Sequence, residues 1–576
     1  SRPAEEGKEK EEVKEKKKKM KFDEFLFSHL GEMGKYQKIQ FTLVCLPTIF
    51  CAMHALSWTF SGIQIPHRCA LDEEAKGDKY SGYWNELGGD INRTEKCIDD
   101  NWNPVKPDAA GARCTYQECA WNSGKNDTSC PSTDFVFDSS RVAQSAMGRW
   151  DIVCDRAWIK ATVQAAYYIG QMAGSMTFGM LGDRIGRKKV FFIAIALQIV
   201  CGFLQSVAPT WWLYAVVRAG TGFSHPGIFV IAVVIGMELV GPSYRKLASV
   251  ITGLFFAVGQ IILGVVAMYV TDYQWLHVAL TAPALIFLSY WWLVPESARW
   301  LVSVRRFHEA DKVLQNAAKI NGVTLPDQWW TLLDGEEKSK EVEEQAQPVA
   351  PRQYGFADLM KTPELRKRAL VVFYLWPVVS MVYYGLSMKS DILGGDIYVN
   401  FIIGGFIEMP ALFLVFLFID KIGRRYVLTI GYGLAGICLL TNLAIPDTAP
   451  RWIALVQLLI SRGAITATYA SIYMFSPELF PTVVRNSAMG VCSTVARVGA
   501  ISASFMAMWI AERYGKAWMI IPFGVMSILA AVLIIVFLPE TMGKPLPATI
   551  EEIEDSALQM DEVQMESLTK TVDEEA

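Results

Sequence analysis

The sequence predicts an all-α membrane protein: twelve transmembrane helices in two six-helix halves, with one large extracellular loop held by disulfides. Three observations predict it. Hydrophobic residues make up 52% of the 576-residue chain and charged residues only 19%, whereas a soluble protein is about a quarter charged. The apolar residues gather in stretches of roughly 20, the length a helix rising 1.5 Å per residue needs to cross about 30 Å of hydrocarbon. A short charged motif also occurs twice, first at Gly182-Asp183-Arg184-Ile185-Gly186-Arg187-Lys188 and again at Asp420-Lys421-Ile422-Gly423-Arg424-Arg425.

Taken in order, residues 1–38 form a Lys/Glu-rich N-terminal segment that reads as cytoplasmic and disordered. Its basic charge can touch anionic inner-leaflet lipid, or it is simply a solvated charge run. The first apolar run starts near Ile39 and is too long for the h-region of a cleaved signal, so it reads as a helix that stays. Hydropathy places spans at 39–60, 158–181, 190–207, 212–236, 247–270 and 276–294, which make the N-terminal half, residues 39–294. The spans at 370–388, 397–419, 427–444, 452–475, 488–510 and 517–538 make the C-terminal half, residues 370–538. An even number of spans puts both termini on one side. With cytoplasmic termini the short inner loops hold ten basic residues, among them Arg184, Arg187, Lys188, Arg245, Lys246, Arg424 and Arg485, against four in the short outer loops. That bias orients the chain in the plasma membrane with both ends inside.

This orientation sends the loop at 66–157 outside. Six of the eleven cysteines fall there, Cys69, Cys97, Cys114, Cys119, Cys130 and Cys154, an even number in an oxidising compartment that implies three disulfides among fifteen possible pairings. Asn92-Arg-Thr and Asn126-Asp-Thr are glycosylation sequons on the same side. Cys45, Cys51, Cys201, Cys438 and Cys492 lie in spans and read as small apolar filler.

The segment at 295–369 is a cytoplasmic linker. Leu301, Val304, Phe307, Leu314 and Ala318 recur at near-helical spacing and predict amphipathic helices, and the polar stretch from Gly335 to Pro351 reads as flexible. Residues 539–576 are an acidic cytoplasmic tail, expected to be disordered from Glu551. The net charge of −4 excludes a globally basic nucleic-acid binder. No Gly-rich phosphate loop, metal-spaced His/Cys set or nucleophile elbow occurs, so the sequence predicts no enzyme, no catalytic or metal residues and no cofactor.

The two halves share more than the charged motif. Arg218 pairs in sequence with Arg462, Glu238-Leu239 with Glu478-Leu479, and Pro295-Glu296 with Pro539-Glu540, at nearly constant offsets. Collinear matches of this kind mark a duplicated bundle, and such bundles place a substrate site between the halves near the midplane. The repeated DRxGR(R/K) turn and the twofold six-span layout resemble the major facilitator superfamily. Within it, Pro295-Glu-Ser-Ala-Arg-Trp-Leu301, Pro539-Glu-Thr, Glu478-Leu-Phe-Pro-Thr-Val-Val-Arg485 and the cysteine-rich outer loop resemble the organic cation/anion/carnitine transporter family.

Physically, Gly182 and Gly186 permit a tight reversal. Asp183 and the basic residues Arg184, Arg187, Arg424 and Arg425, with Asp420 in the second repeat, can pair with Glu238 and Glu478 or cap a helix end across the seam between halves, latching the inner face shut. The plainer alternative is that these cations only enforce topology.

Ionisable residues at membrane depth point to function, since each costs about 2.5–3.5 kcal/mol at a helix centre unless partnered or wet. Glu408, Arg497, Arg218, Arg462 and His54 are the ones singled out. Arg497 resembles the arginine that anion- and carnitine-type members carry where cation-type members carry an aspartate; the alternative is an ion pair with Glu408. Glu408 resembles an acidic site of the whole family, and an acid and a base lining one cavity suit a zwitterion. Ala411-Leu412 stands where members preferring dianions have a lysine. Trp376, Tyr383, Tyr384, Tyr469, Tyr473 and Phe229 resemble the family's aromatic cavity lining, which supplies apolar area and cation–π contacts. His54 and Gln260 complete the predicted substrate contacts, with ordinary hydrogen bonding as their alternative. Arg218 and Arg462, being repeat partners, read as structural.

The resemblance implies a secondary active or facilitative transporter moving small organic ions by alternating access, working as a monomer in a lipid bilayer. Zwitterionic or monoanionic substrates, carnitine-like or amino-acid-derived, are favoured. The alternatives are an organic cation transporter, a sugar porter, or a non-transporting membrane protein of the same fold.

Overall fold

The computed structural model describes residues 22–65, 67–69, 94–98, 113–116, 135–137, 139–153, 156–326, 328–332, 356–389, 396–446, 449–543, 547 and 549–554. Helix α1 (Phe22–Leu30) precedes the bundle. The first six long helices are α2 (Lys35–Ser61), α3 (Trp158–Ile185), α4 (Arg187–Val207), α5 (Trp211–Leu239), α6 (Lys246–Tyr269) and α7 (Tyr273–Leu293). Two short helices follow, α8 (Ala298–Ser303) and α9 (Phe307–Asn321). The remaining six are α10 (Pro363–Met388), α11 (Ile397–Ile422), α12 (Arg424–Asn442), α13 (Trp452–Leu479), α14 (Val483–Tyr514) and α15 (Ala517–Phe537).

Ten of these, among the described residues, are long and apolar enough to cross a membrane. The two that fall short are α3 and α12, and both lie where the sequence predicts spans. Lys160, Gln164, Gln171 and four glycines dilute α3, while two arginines and three glycines dilute α12. The glycines exchange hydrophobicity for proximity. A Cβ at Gly170 or Gly174 of α3 would strike the carbonyls of Ala219 and Phe223 on α5, and one at Gly222 of α5 would strike the carbonyl of Tyr167 on α3. Small residues of this kind let helix backbones touch, which is how helices hold together where no hydrophobic drive separates them from lipid.

Several boundaries differ from the sequence reading. The N-terminal segment is not wholly irregular: α1 buries Phe25, Leu26 and Leu30 with Trp300, Leu301, Leu314, Ala318 and Trp329 in a small core beneath the bundle. Asn321, at the end of α9, receives the Tyr36 amide (2.8 Å) and donates to the Leu30 carbonyl (3.2 Å), tying the predicted linker helices to the head. Val304 is exposed, because it caps α8 instead of facing that core. Residues 550–554 of the acidic tail are helical, with Ile550 and Ile553 buried. Glu554 accepts from the amides of Glu364 and Leu365, which satisfies the open N-terminus of α10. Helix α7 is α-helical to Thr281 and then 3₁₀ through Ala282–Ser289, with Pro283 in its first turn.

The large loop contributes four short strands that hydropathy does not reveal. Strand β1 (His67–Cys69) pairs antiparallel with β4 (Phe135–Phe137), and β2 (Thr94–Ile98) with β3 (Arg113–Tyr116), Cys97 standing opposite Cys114. Cys119, Cys130, Cys154, Asn92 and Asn126 lie outside the described residues, as does Gly335–Pro351. The loop end of the bundle is closed by Lys160–Glu512 (2.6 Å), Lys389–Glu512 (3.2 Å) and Arg141–Asp396; the opposite end, which carries the repeated motif, is crossed by Lys246–Asp420.

The glycine seam generates a test. Gly222→Ala forces a methyl against backbone and is expected to cost about 1–3 kcal/mol, seen as a lower thermal midpoint in detergent and lower surface abundance. Gly179→Ala, where a Cβ meets nothing within 4 Å, should leave both within error of wild type.

Candidate functional site

At the motif end, the two repeats fold alike. Gly186 (φ 104°) and Gly423 (φ 103°) occupy the left-handed region that favours glycine and turn one helix into the next. Directly after each turn, an acid from the paired Pro-Glu motif caps the new helix. Glu296 accepts from the amides of Arg187 (2.8 Å) and Lys188 (3.0 Å), and Glu540 from those of Arg424 and Arg425 (both 3.0 Å). A carboxylate there satisfies orphan N–H groups and complements the helix dipole. Arg187 pairs with Asp183 (2.9 Å) and Glu238 (3.4 Å); Arg424 pairs with Asp420 (3.0 Å) and Glu478 (3.4 Å). The expected latch therefore takes a different form. Glu238 and Glu478 bind the arginine of their own repeat, since each ends the helix packed beside that turn, and at this end only Lys246–Asp420 spans the two groups of helices among the described residues. Arg425 donates to the Ile535 carbonyl, Gly182 accepts from Arg187 (2.7 Å), and Arg184 points outward, exposed.

Within the bundle, Glu408 on α11 is 2% exposed and does not meet Arg497. Its carboxylate bonds Arg462 (3.0 Å) and accepts from the Tyr383 hydroxyl (3.1 Å). The guanidinium fits there because Gly404, one turn earlier on α11, carries no side chain: a Cβ would lie 2.6 Å from it. Arg462 is thus the partner that the sequence reading sought in Arg497. Its repeat counterpart Arg218 has no acid partner among the described residues. Arg218 donates to Gln164 (2.6 Å) and Ser57 (3.2 Å) and lies over Trp58 and Tyr167.

Arg497 on α14 is 5% exposed, forms no ion pair among the described residues, and leaves its Nε without a hydrogen-bond partner. Gly499 brings α14 against the Pro377 carbonyl of α10, so the arginine's helix sits as close to α10 as backbones allow. Five of the six aromatic residues predicted for the site pack against one another. Trp376 meets Tyr473 (4.6 Å) and Tyr469 (6.4 Å), Tyr469 meets Tyr383 (5.5 Å), and Tyr384 meets Tyr168 of α3 (4.9 Å). Tyr473 remains 38% exposed, the open edge of this cluster, while Trp376 is buried and donates to Ser476 (3.0 Å).

Other predicted contacts are placed elsewhere. Gln260 donates to the Phe401 carbonyl (3.2 Å), bonding α6 to α11. His54 is buried, with both ring nitrogens unpaired, beside Gly202 and within the field of Arg218. Phe229 packs on His225 and Phe256. The sequence reading passed over Tyr167 and His225, which the structure joins at 2.8 Å. A histidine inside a predicted span was the available signal.

Among the described residues, three buried arginines against one buried glutamate, with a tyrosine cluster, in two helix groups that repeat one charged turn, fit a membrane transporter of the major facilitator type. The comparisons agree. The family profile described as "Sugar (and other) transporter" matches residues 121–553. The chain is 37% identical to the Organic cation transporter protein of Drosophila melanogaster over 93% of this chain and 95% of that one, and 32% identical to Organic cation transporter 1 of Caenorhabditis elegans over 92% and 88%. It is 29% identical to Solute carrier family 22 member 2 of Homo sapiens over 92% and 94%. In fold it is similar to a xylose transporter of E. coli in a partially occluded inward-open conformation (TM-score 0.57, 14% identity, 89% of this chain and 100% of that one). The chain belongs to the sugar (and other) transporter family, among the organic cation transporters and their solute carrier relatives.

The acid site makes its own forecast. Arg462→Ala strands a buried carboxylate and should cost about 3–5 kcal/mol, lowering the thermal midpoint more than Glu408→Ala/Arg462→Ala does. Equal losses in the single and double variants would show that the pair carries no coupling.

Proposed function

We propose that this transporter moves small organic monoanions or zwitterions by alternating access, with Arg497 as the anchor for the substrate carboxylate. The observation that carries the reading is the asymmetry between the two interior sites: Glu408 is paired with Arg462, whereas Arg497 has no acid partner among the described residues. A buried guanidinium without a counter-ion is costly, and a bound carboxylate supplies the missing charge through a bidentate pair. Tyrosines around it offer apolar walls, hydroxyl donors and faces for an ammonium group. The first-quoted relatives are named organic cation transporters, and this supports a second reading, in which Glu408 receives a cation. That site already holds Arg462 and Tyr383, so a cation entering it must displace an arginine.

In this reading α3 and α12 complete twelve crossings in two halves, 39–294 and 370–538, with 295–369 between them, and the chain acts as a monomer in the plasma membrane. The motif end faces the cytoplasm, where basic residues concentrate. Lys160–Glu512 and Arg141–Asp396 at the outer end, and Lys246–Asp420 at the inner, are pairs that open and close as the halves rock. Asp183, Glu238 and Glu478 brace each inner turn. The outer loop carries glycans on Asn92 and Asn126. Cys97 and Cys114, directly opposed in an antiparallel ladder, are at a Cα spacing compatible with a disulfide; Cys69, Cys119, Cys130 and Cys154 supply the other two.

An uptake panel of tetraethylammonium, L-carnitine, nicotinate and glutarate tests the substrate class. We expect nicotinate or L-carnitine to be transported. Arg497→Lys should keep weak uptake with a raised half-saturation constant, because lysine keeps the charge and loses the fork; Arg497→Asp should abolish it. The loss of a charged partner in such a site is about 2–5 kcal/mol, or roughly 30-fold to several-thousand-fold in affinity. Normal carboxylate uptake by surface-expressed Arg497→Ala would overturn the anchor. Separately, treating protein from animal cells with a glycosidase should increase its gel mobility, and unchanged mobility would count against the orientation.

A further inference from the structure

Lys160, Glu512 and Lys389 meet at the loop end of the bundle. Both ammonium groups donate to one oxygen, Glu512 Oε1, Lys160 at 2.6 Å and Lys389 at 3.2 Å. The Lys160 side chain is only 8% exposed, and among the described residues Glu512 is the one carboxylate within ion-pair distance of it. The helices do not favour these two charges where they stand. Lys160 lies in the first turn of α3, whose N-cap makes no side-chain bond, and Glu512 in the last turn of α14, just after a π-helical turn at Met506–Ile510. A helix dipole prefers an acid at its start and a base at its end, so each residue opposes its own helix and is compensated by the other. Lys389, which follows the last residue of α10, agrees with its dipole. Lys160 is fixed to the first six helices, because Trp58 Nε1 of α2 donates to its carbonyl (2.9 Å). Glu512 and Lys389 belong to the last six.

We propose that Lys160 captures the substrate carboxylate at the outer mouth: as the outer end opens, Glu512 departs with Lys389, and an arriving organic monoanion takes its place on Lys160. The three residues divide unequally between the two groups of helices. Separation leaves Glu512 its second lysine, whereas Lys160 loses its acid. A mostly buried ammonium without a counter-ion is costly, and an external carboxylate offsets that cost through a charge-assisted hydrogen bond. Glu512 Oε1 is already a carboxylate oxygen seated at Lys160 Nζ, so the place fits the group it is to receive. A cation gains nothing there, and the mouth selects for anions before the interior is reached. Glu512 is then a tethered competitor of the substrate. The inference rests on the monoanion and alternating-access readings above and adds an entry site to them.

The experiment measures nicotinate uptake by full-length protein in cultured cells, normalised to surface abundance, for wild type, Lys160→Gln, Lys160→Arg, Glu512→Gln, Lys160→Gln/Glu512→Gln and Arg497→Lys. Lys160→Gln should raise the half-saturation constant about tenfold, the size of one hydrogen bond to a charged group. Lys160→Arg keeps the charge and should shift the constant less than about threefold. Glu512→Gln should lower it about threefold, because the competing carboxylate is gone, and the double variant should follow Lys160→Gln. A mere closing pair gives a different result: either single variant removes the pair, so both shift the constant in the same direction. That outcome, or an unchanged constant in Lys160→Gln, overturns the capture role. If Lys160→Gln does not reach the surface, the double variant replaces it: a constant above wild type sustains the capture role, and one at or below wild type overturns it. Arg497→Lys and wild type separate the readings. A raised constant in Arg497→Lys with none in Lys160→Gln defeats only the capture site, whereas no nicotinate uptake by wild type defeats the monoanion reading and the capture site with it.

Discussion

The cost of holding charge out of water organises this protein. An ionised group inside a bundle must find a partner, water or a ligand, and the structure answers that demand in three ways. Arg462 takes Glu408, with Tyr383 on the second oxygen. Arg218 is spread over Gln164, Ser57 and two aromatic faces. Arg497 forms no ion pair among the described residues and leaves its Nε without a hydrogen-bond partner.

The second constraint is closeness. Helices bathed in lipid gain little from burying apolar surface against each other, so contact must come from small residues and from bonds between backbone and side chain. Gly170, Gly174 and Gly222 seat α3 on α5, Gly404 admits the Arg462 guanidinium, and Gly499 presses α14 to α10. These glycines stand next to Tyr167, Glu408 and Arg497. Rigidity is thus greatest where charged and phenolic groups must be aimed, and a site needs such support to hold its geometry.

Outside the interior, charge can be spent on movement. The two turns of the repeated motif are braced by acids of their own repeat. Among the described residues, pairs that cross between the two groups of helices lie at the ends: Lys160–Glu512 and Arg141–Asp396 at one, Lys246–Asp420 at the other. Arg141–Asp396 and Lys246–Asp420 are partly exposed, so water can replace each partner at little cost, whereas Lys160 is buried and its pair is harder to break.

The fold was legible in the sequence because hydropathy and a duplicated motif are local signals. Apolar stretches of about 20 residues, the paired Gly-Arg turns and the paired Pro-Glu dipeptides specify helices and their duplication without reference to anything distant. Arg497, Glu408, Tyr384 and Trp376 were visible as interior residues for the same reason. The strands of the outer loop and the helical turn at 550–554 were not, since short β pairs and a cap on α10 depend on partners far along the chain. Nor could spacing say which arginine neutralises Glu408. Arg462 and Arg497 are both single cations in apolar helices, and only the packing of α11 on α13, opened by Gly404, puts one of them within 3.0 Å of the acid and leaves the other alone. The amino-acid sequence by itself determined which charges lie within the apolar helices; tertiary structure decided which of them are paired, because pairing is a property of distance in space and not of distance along the chain.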